Sequence, residues 1–138
     1  GVVPAPGERQ EVDRAVLAEV DKTLEEMRSL MLSVKLRSGL QRAMAGASAV
    51  NVYLNEVRPW STASADPGRT ASILATALDA IGGLAVGLGP YLPATSTAVL
   101  EMLGVKPEGW SRPQPEVGRA LPEPAPLFSR LEPLDERE

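Results

Sequence analysis

The sequence predicts an all-α protein: a helical bundle of about four helices in residues 1–104, continued by an extended, proline-rich C-terminal arm in residues 105–138 that packs on the bundle. Three observations carry this reading. Apolar residues recur every three to four positions over long stretches, the period of a helix buried along one stripe. Turn chemistry separates those stretches, at Asp66-Pro67-Gly68 and again at Pro90 and Pro93. After Lys106 the texture changes, and proline and charge replace the apolar periodicity.

The first helix is predicted by Val12, Val16, Leu17, Val20, Leu24, Met27, Met31 and Val34, which share one face. Pro4, Pro6 and Gly7 form a turn before it, and Glu8, Glu11 and Asp13 lie where the positive end of the helix dipole favours carboxylates. A break is expected between Ser33 and Ser38. The second helix then spans Arg37 to Val57, with Leu40, Ala43, Met44, Ala47, Val50, Leu54 and Val57 facing inward and with alanines and Gly46 allowing a neighbour to pack closely.

Asp66 as a cap and Pro67 in the first turn start a third helix over Pro67 to Leu88. From Ile73 to Leu92 this stretch is nearly all apolar or small, and Gly83-Leu-Ala-Val-Gly87 has the spacing of small residues at membrane helix contacts. A membrane span would place Asp79 near mid-bilayer, at a cost of about 2.5–3.5 kcal/mol. A buried bundle helix is therefore the reading adopted, with the glycines serving close helix contact. Pro90 and Pro93 make the next turn, and a short helix from Ala94 to Leu103 stops at Gly104. In the arm, Trp110 and the Leu127-Phe128 pair stand as isolated apolar anchors.

Catalytic chemistry is sparse. Without cysteine or histidine the chain has no disulfide, no thiol nucleophile and neither of the commonest metal ligands, so no cofactor or metal is expected in it. Serines and threonines have no base to activate them. The acidic pairs Glu25-Glu26 and Asp135-Glu136 fall on a helix surface and in the arm, where solvated charge is the ordinary outcome. The glycines between Ile81 and Gly89 follow no strand, so they lack the context of a phosphate-binding loop. No secretory leader pattern opens the chain, and a cytoplasmic location is expected.

The candidate binding feature is Asn51-Val-Tyr53-Leu-Asn-Glu56-Val-Arg58-Pro59-Trp60. Proline stops the helix here, which puts Trp60 on a turn at the helix tip beside Arg58. An exposed ring at such a tip can stack an unpaired base, worth about 1–3 kcal/mol. A lone tryptophan also commonly seals a core as an apolar plug, and the local sequence leaves both readings open. The formal charge of −4 is unevenly spread: Arg28 to Ala65 holds five basic residues and one acidic. Arg28, Lys35, Arg37, Arg42 and Arg58 could attract phosphates, or each could be an ordinary solvated charge.

Four motifs, in this order, resemble the C-terminal anticodon-binding domain of the methionine–tRNA ligase (methionyl-tRNA synthetase) family. Gly1-Val-Val-Pro4-Ala-Pro6-Gly7-Glu8 resembles the turn before that domain's second helix, and Ala49-Val-Asn51-Val-Tyr53-Leu-Asn55-Glu56 with Pro59-Trp60 resembles its anticodon helix. Gly89-Pro90-Tyr91-Leu92-Pro93 with Leu103-Gly104, and Pro126-Leu127-Phe128-Ser129-Arg130-Leu131-Glu132, resemble its later turn and closing segment. The resemblance implies that Trp60 stacks on a base of the CAU anticodon. On that basis Pro59 is expected to set the ring's angle, Arg58 to meet the RNA backbone, and Asn51 and Tyr53 to fix the helix end or else to touch a base.

The same resemblance implies two partners, a tRNA with a CAU anticodon and the catalytic part of the same enzyme, with no membrane involved. The complete enzyme would join methionine to tRNA with ATP, and ATP, with zinc where the family's cysteine knuckle is present, would belong to that catalytic part. The chain has no counterpart to the family domain's first helix, which carries an asparagine and an arginine that read the anticodon, and no HIGH-like or KMSKS-like motif. Weak RNA binding is therefore expected of the chain alone. Ser61-Thr62-Ala63-Ser64-Ala65 is small and neutral where the family has an apolar residue and a lysine, and Asn55 stands where an aspartate is common. The alternative is a non-catalytic protein-interaction module, with Trp60 and the prolines as its docking patch and no steep salt dependence.

Overall fold

The computed structural model describes residues 1–132, so the acidic pair Asp135-Glu136 at the end of the arm lies outside the described residues. The all-α class expected from the sequence is the class observed. Among the described residues, five helices follow in order: α1 (Glu11–Leu32), α2 (Leu36–Val57), the single turn α3 (Pro59–Thr62), α4 (Pro67–Leu88) and α5 (Pro93–Leu103).

α1 and α2 form an antiparallel hairpin whose turn is Ser33 to Lys35. Val34 was expected to extend the buried stripe of α1, but it lies outside the helix in a left-handed conformation (φ 58°) with 78 % of its surface exposed. The reason is geometric: the chain must reverse here, and Lys35 N–H closes the helix end by donating to Leu30 O over 2.8 Å. α4 runs beside α1 in the same direction, since Arg69 meets Asp13, Gly83 faces Val20 and Gly87 faces Leu24 and Met27.

One core, Val16, Leu17, Val20, Val50, Tyr53, Ile73 and Ala80, is shared by α1, α2 and α4. A second, Leu24, Ala85, Val86 and Leu100, adds α5 and the half-buried Trp110. Two thirds of the most apolar window of α4 is buried, so the helix long and apolar enough to span a membrane is in fact the central helix of the bundle.

The inner face of α2 differs from the one expected. Leu40 (36 % exposed) and Met44 (56 % exposed) point outward, and the buried residues are Gly39, Ala43, Gly46, Val50 and Tyr53. Contact distance decides this. A Cβ built on Gly46 would sit 2.7 Å from Thr23 Oγ1, and one on Gly39 would sit 2.5 Å from Tyr91 Oη. The helices approach too closely for larger side chains, so small residues take the inner stripe.

The chain after α5 turns at Gly104, in the left-handed region (φ 66°), and lies over the bundle. Trp110 Nε1 donates to Leu24 O, and Arg112 donates twice to Asp21, at 3.0 and 3.2 Å. The chain then pairs with the N-terminal segment: Val3 N–H donates to Arg119 O, Gly118 N–H to Val3 O and Leu121 N–H to Gly1 O, each over 2.8 Å.

Candidate nucleic-acid interface

Because α1 and α4 run together and α2 runs against them, one end of the bundle gathers the start of α1, the end of α2, all of α3 and the start of α4. Trp60 stands on α3 at this end with 64 % of its surface exposed. It does not seal the core as a plug.

The local chain explains that position. Arg58 closes α2 in a left-handed conformation (φ 45°, ψ 67°), with its N–H donating to Leu54 O over 3.0 Å. Pro59 follows at the first position of α3, where a missing N–H costs nothing, and is itself buried. The reversal at Arg58 and the buried proline swing the next residue out. α3 is pinned by Ser61 Oγ donating to Arg58 O (2.7 Å) and by a hydroxyl pair between Thr62 and Thr70 (2.7 Å). Asp66 then caps α4 by accepting from Arg69 N–H at 3.0 Å.

Of the five residues expected at the site, Trp60, Arg58 and Asn51 are exposed. Asn51 and Asn55 fall at i and i+4 on one face of α2, and Arg58, at its left-handed end, donates from Nε to Asn55 O at 3.3 Å. Tyr53 and Pro59 are buried. Tyr53 is 3 % exposed, and its hydroxyl donates to Asp13 Oδ1 over 2.6 Å, so it offers no face to a base. Burial pushes its phenol well above the ordinary value, and the adjacent Asp13 carboxylate adds to that. Pro59 likewise lies beneath the surface it shapes.

The basic run is also redistributed by the fold. Arg42 is engaged with Glu19 (2.8 Å) and with Glu26, whose carboxyl its hydrogen bond holds below the ordinary value. Lys35 and Arg37 sit at the start of α2, and 22 residues of helix place them about 33 Å from its end. Arg28 lines a shallow cleft of about 450 Å³ with Trp110 and Arg112 in the second half of α1. Only Arg58 of the five adjoins Trp60 in the chain.

One constellation was not read from the sequence. Asp13 is fully buried at the start of α1 and accepts from four donors. Its Oδ1 takes Tyr53 Oη at 2.6 Å and Arg69 Nη2 at 2.9 Å; its Oδ2 takes Gln10 N–H at 2.8 Å and Arg69 Nη1. Burial raises its pKa, but the hydrogen bonds from Arg69, Tyr53 and Gln10 outweigh this and hold the carboxyl below its ordinary value. The available signal was register. Asp13 lies on the same helical stripe as Val16, Val20 and Leu24, where a lone carboxylate needs a partner. Beside it an open concavity of about 610 Å³ is lined by Arg9, Arg14 and Arg69 but equally by Glu8, Glu11 and Asp66, which gives it no clear preference for an anion. Among the described residues, no three acidic side chains converge so as to hold a metal ion.

A model of the family described as the anticodon binding domain of methionyl tRNA ligase matches residues 3–132. The methionine–tRNA ligase of Roseiflexus castenholzii is 40 % identical over 117 residues, which cover 85 % of this chain and 19 % of that protein. That of Pyrococcus abyssi is 31 % identical over 132 residues, covering 95 % of this chain and 18 % of that protein. The chain thus spans about a fifth of the length of these curated relatives. Among solved structures, the free methionyl-tRNA synthetase of Mycobacterium tuberculosis superposes with a TM-score of 0.87 at 26 % identity, over 96 % of this chain and 28 % of that one. The same enzyme bound by methionyl-adenylate gives 0.85 over 94 % of this chain and 27 % of that one.

Proposed function

This chain belongs to the family of anticodon-binding domains of methionyl tRNA ligase, and from that premise we propose that it holds a tRNA by its CAU anticodon through the exposed ring of Trp60. The ring stacks on an unpaired base. Arg58 meets the backbone at the next phosphate, and Asn51 supplies hydrogen bonds from the same helix face. Tyr53 and Pro59 act from below, fixing the end of α2 and the angle of α3. A separate part of the same enzyme joins methionine to the tRNA with ATP, and with zinc where its knuckle is present; this chain contributes recognition at a distance from that reaction. The reading carries a cytoplasmic location with it.

The observation that supports it is the exposure of Trp60, which is 64 % at the end of the bundle where α2, α3 and α4 meet, beside an arginine. Tryptophan is enriched at interfaces because its ring offers a large apolar face together with an N–H donor.

The test is a titration of labelled stem-loops with CAU and altered anticodons at two salt concentrations. Trp60→Ala is expected to weaken CAU binding by roughly 5- to 150-fold, the range that corresponds to about 1–3 kcal/mol for one stacked base. Binding should also weaken as salt rises. If the substitution leaves the CAU preference unchanged, the assignment of Trp60 is wrong; if binding is absent and salt has no effect, the protein-interaction reading replaces this one.

A further inference from the structure

We propose that Asp13 is the positioning residue of the Trp60 platform: one buried carboxylate ties both ends of the chain segment that carries the tryptophan. The inference rests on the reading of Trp60 given above and concerns a residue with no contact to RNA.

The geometry is specific. Trp60 lies between Tyr53, in the last turns of α2, and Arg69, in the first turn of α4. Both residues end on Asp13: Tyr53 Oη at 2.6 Å and Arg69 Nη2 at 2.9 Å from Oδ1, with Arg69 Nη1 on Oδ2. The segment from 53 to 69 is therefore a loop closed at its base by a single anion. Gln10 N–H, at 2.8 Å from Oδ2, sets the carboxylate's own orientation by fixing it to the start of α1.

Such a closure has an angular precision that apolar packing lacks. The guanidinium fork donates to the carboxylate in one plane, and the phenol adds a third direction. Further along the bundle, Val16, Leu17, Val20, Val50 and Ile73 hold α1, α2 and α4 together by themselves. Loss of the carboxylate therefore frees the end of the bundle, where α3 sits, more than its middle. Thr62 is bonded to Thr70, and Asp66, which caps α4 by accepting from Arg69 N–H, donates its own N–H to Thr62 O at 2.8 Å, so α3 is tied to the start of α4 and a shift of Arg69 is passed on to Trp60.

The experiment uses the chain labelled with 5-fluorotryptophan, whose two tryptophans give separate fluorine resonances; Trp60→Phe assigns the one of interest. Asp13→Asn should shift or broaden the Trp60 resonance and leave that of Trp110 in place, and Tyr53→Phe should move it less in the same direction. Val20→Ala, matched for its fall in melting temperature but remote from the network, should move neither. With a CAU stem-loop, Asp13→Asn should weaken binding about tenfold in the native chain and add nothing in a Trp60→Ala background. An unmoved Trp60 resonance, an equal shift in Val20→Ala, or an equal loss of binding with and without Trp60 overturns the proposal. If Asp13→Asn does not fold, Tyr53→Phe decides by the same readouts. A native chain that binds no stem-loop defeats the proposed function alone, because the fluorine arm still tests whether Asp13 places the ring.

Discussion

At the scale of single residues, two strained or buried groups set the site, and each makes a measurable prediction. Arg58 adopts φ 45° without being glycine, a conformation that costs about 1–2 kcal/mol. Arg58→Gly removes that cost and adds about 0.4–1 kcal/mol of unfolded-state entropy, so the variant should gain about 0.5–1 kcal/mol of stability, seen as a melt higher by about 2–5 °C. Its affinity for a CAU stem-loop should fall. A lower melt would mean that the arginine side chain stabilises the fold more than its backbone strains it.

Asp13 supplies the pH dependence. Its carboxyl is held below its ordinary value in the folded chain, so the stability it adds is complete above the unfolded pKa and is lost as pH falls through the lower, folded one. Urea unfolding from pH 6 down to pH 3 should show a decline in the native chain and a shallower slope in Asp13→Asn. That variant starts lower, by about 3 kcal/mol at pH 6, because Arg69 loses its buried partner. A parallel decline in both proteins would assign the acid sensitivity to other carboxylates. The sequence shows Asp13 only as an acid near a helix start. Its burial depends on Tyr53 and Arg69 arriving from residues 40 and 56 positions away, which no local pattern encodes.

At the scale of elements, helix existence was legible and helix facing was less so. Proline, glycine and capping residues mark the ends of α4 and α5 through local geometry, and the structure places those ends at Pro67, Leu88 and Leu103. The face of α2 was missed because its many small residues flatten the contrast between sides, and the contact distance to α1 then chooses the smallest. Gly46 measures this. A methyl there would lie 2.7 and 2.8 Å from Oγ1 and Cγ2 of Thr23, a β-branched side chain with little freedom to turn away. Gly46→Ala should therefore destabilise by about 1–2 kcal/mol net, although alanine favours a helix by about 1 kcal/mol. Gly68→Ala is the contrast. Its methyl would be 3.7 Å from Asp66 Oδ1, an ordinary contact, so propensity should dominate and raise stability by about 0.5 kcal/mol. Thermal melts of the two variants moving in the same direction would show that packing distance does not govern α2.

At the scale of the whole molecule, charges far apart in sequence are brought together, and charges adjacent in sequence are separated. The basic run from Arg28 to Arg58 is split between α1 and the two ends of α2, with Arg42 absorbed by α1, so local charge says little about the field around Trp60. The order of the family motifs survives such rearrangement, which is why the domain was recognisable while its electrostatics were not. Asp79 shows the converse. From the middle of α4 it takes Arg9 Nη2 at 2.7 Å and lies 3.7 Å from Arg112 Nη1, so it anchors the segment before α1 and the segment after α5 together. Burial pushes its carboxyl up, against the pull of both arginines.

Because those two segments are also bonded to each other, they should open as one unit when the anchor is lost. Asp79→Ala leaves Arg9 Nη2 without its acceptor and removes the nearby anion from Arg112, which keeps Asp21; the cost is about 1–3 kcal/mol, or roughly 5- to 150-fold in an opening equilibrium. Hydrogen exchange should then accelerate by a similar factor at the amides of Val3, Gly118 and Leu121, which pair across the segments. The amide of Val50 in α2 should exchange as before, since no part of its packing depends on Asp79. Arg9→Met alone should speed exchange at all three amides as well, because each segment is the other's hydrogen-bond partner. If Arg9→Met frees Val3 but leaves Leu121 protected, the segments are held separately and Asp79 is only a local anchor.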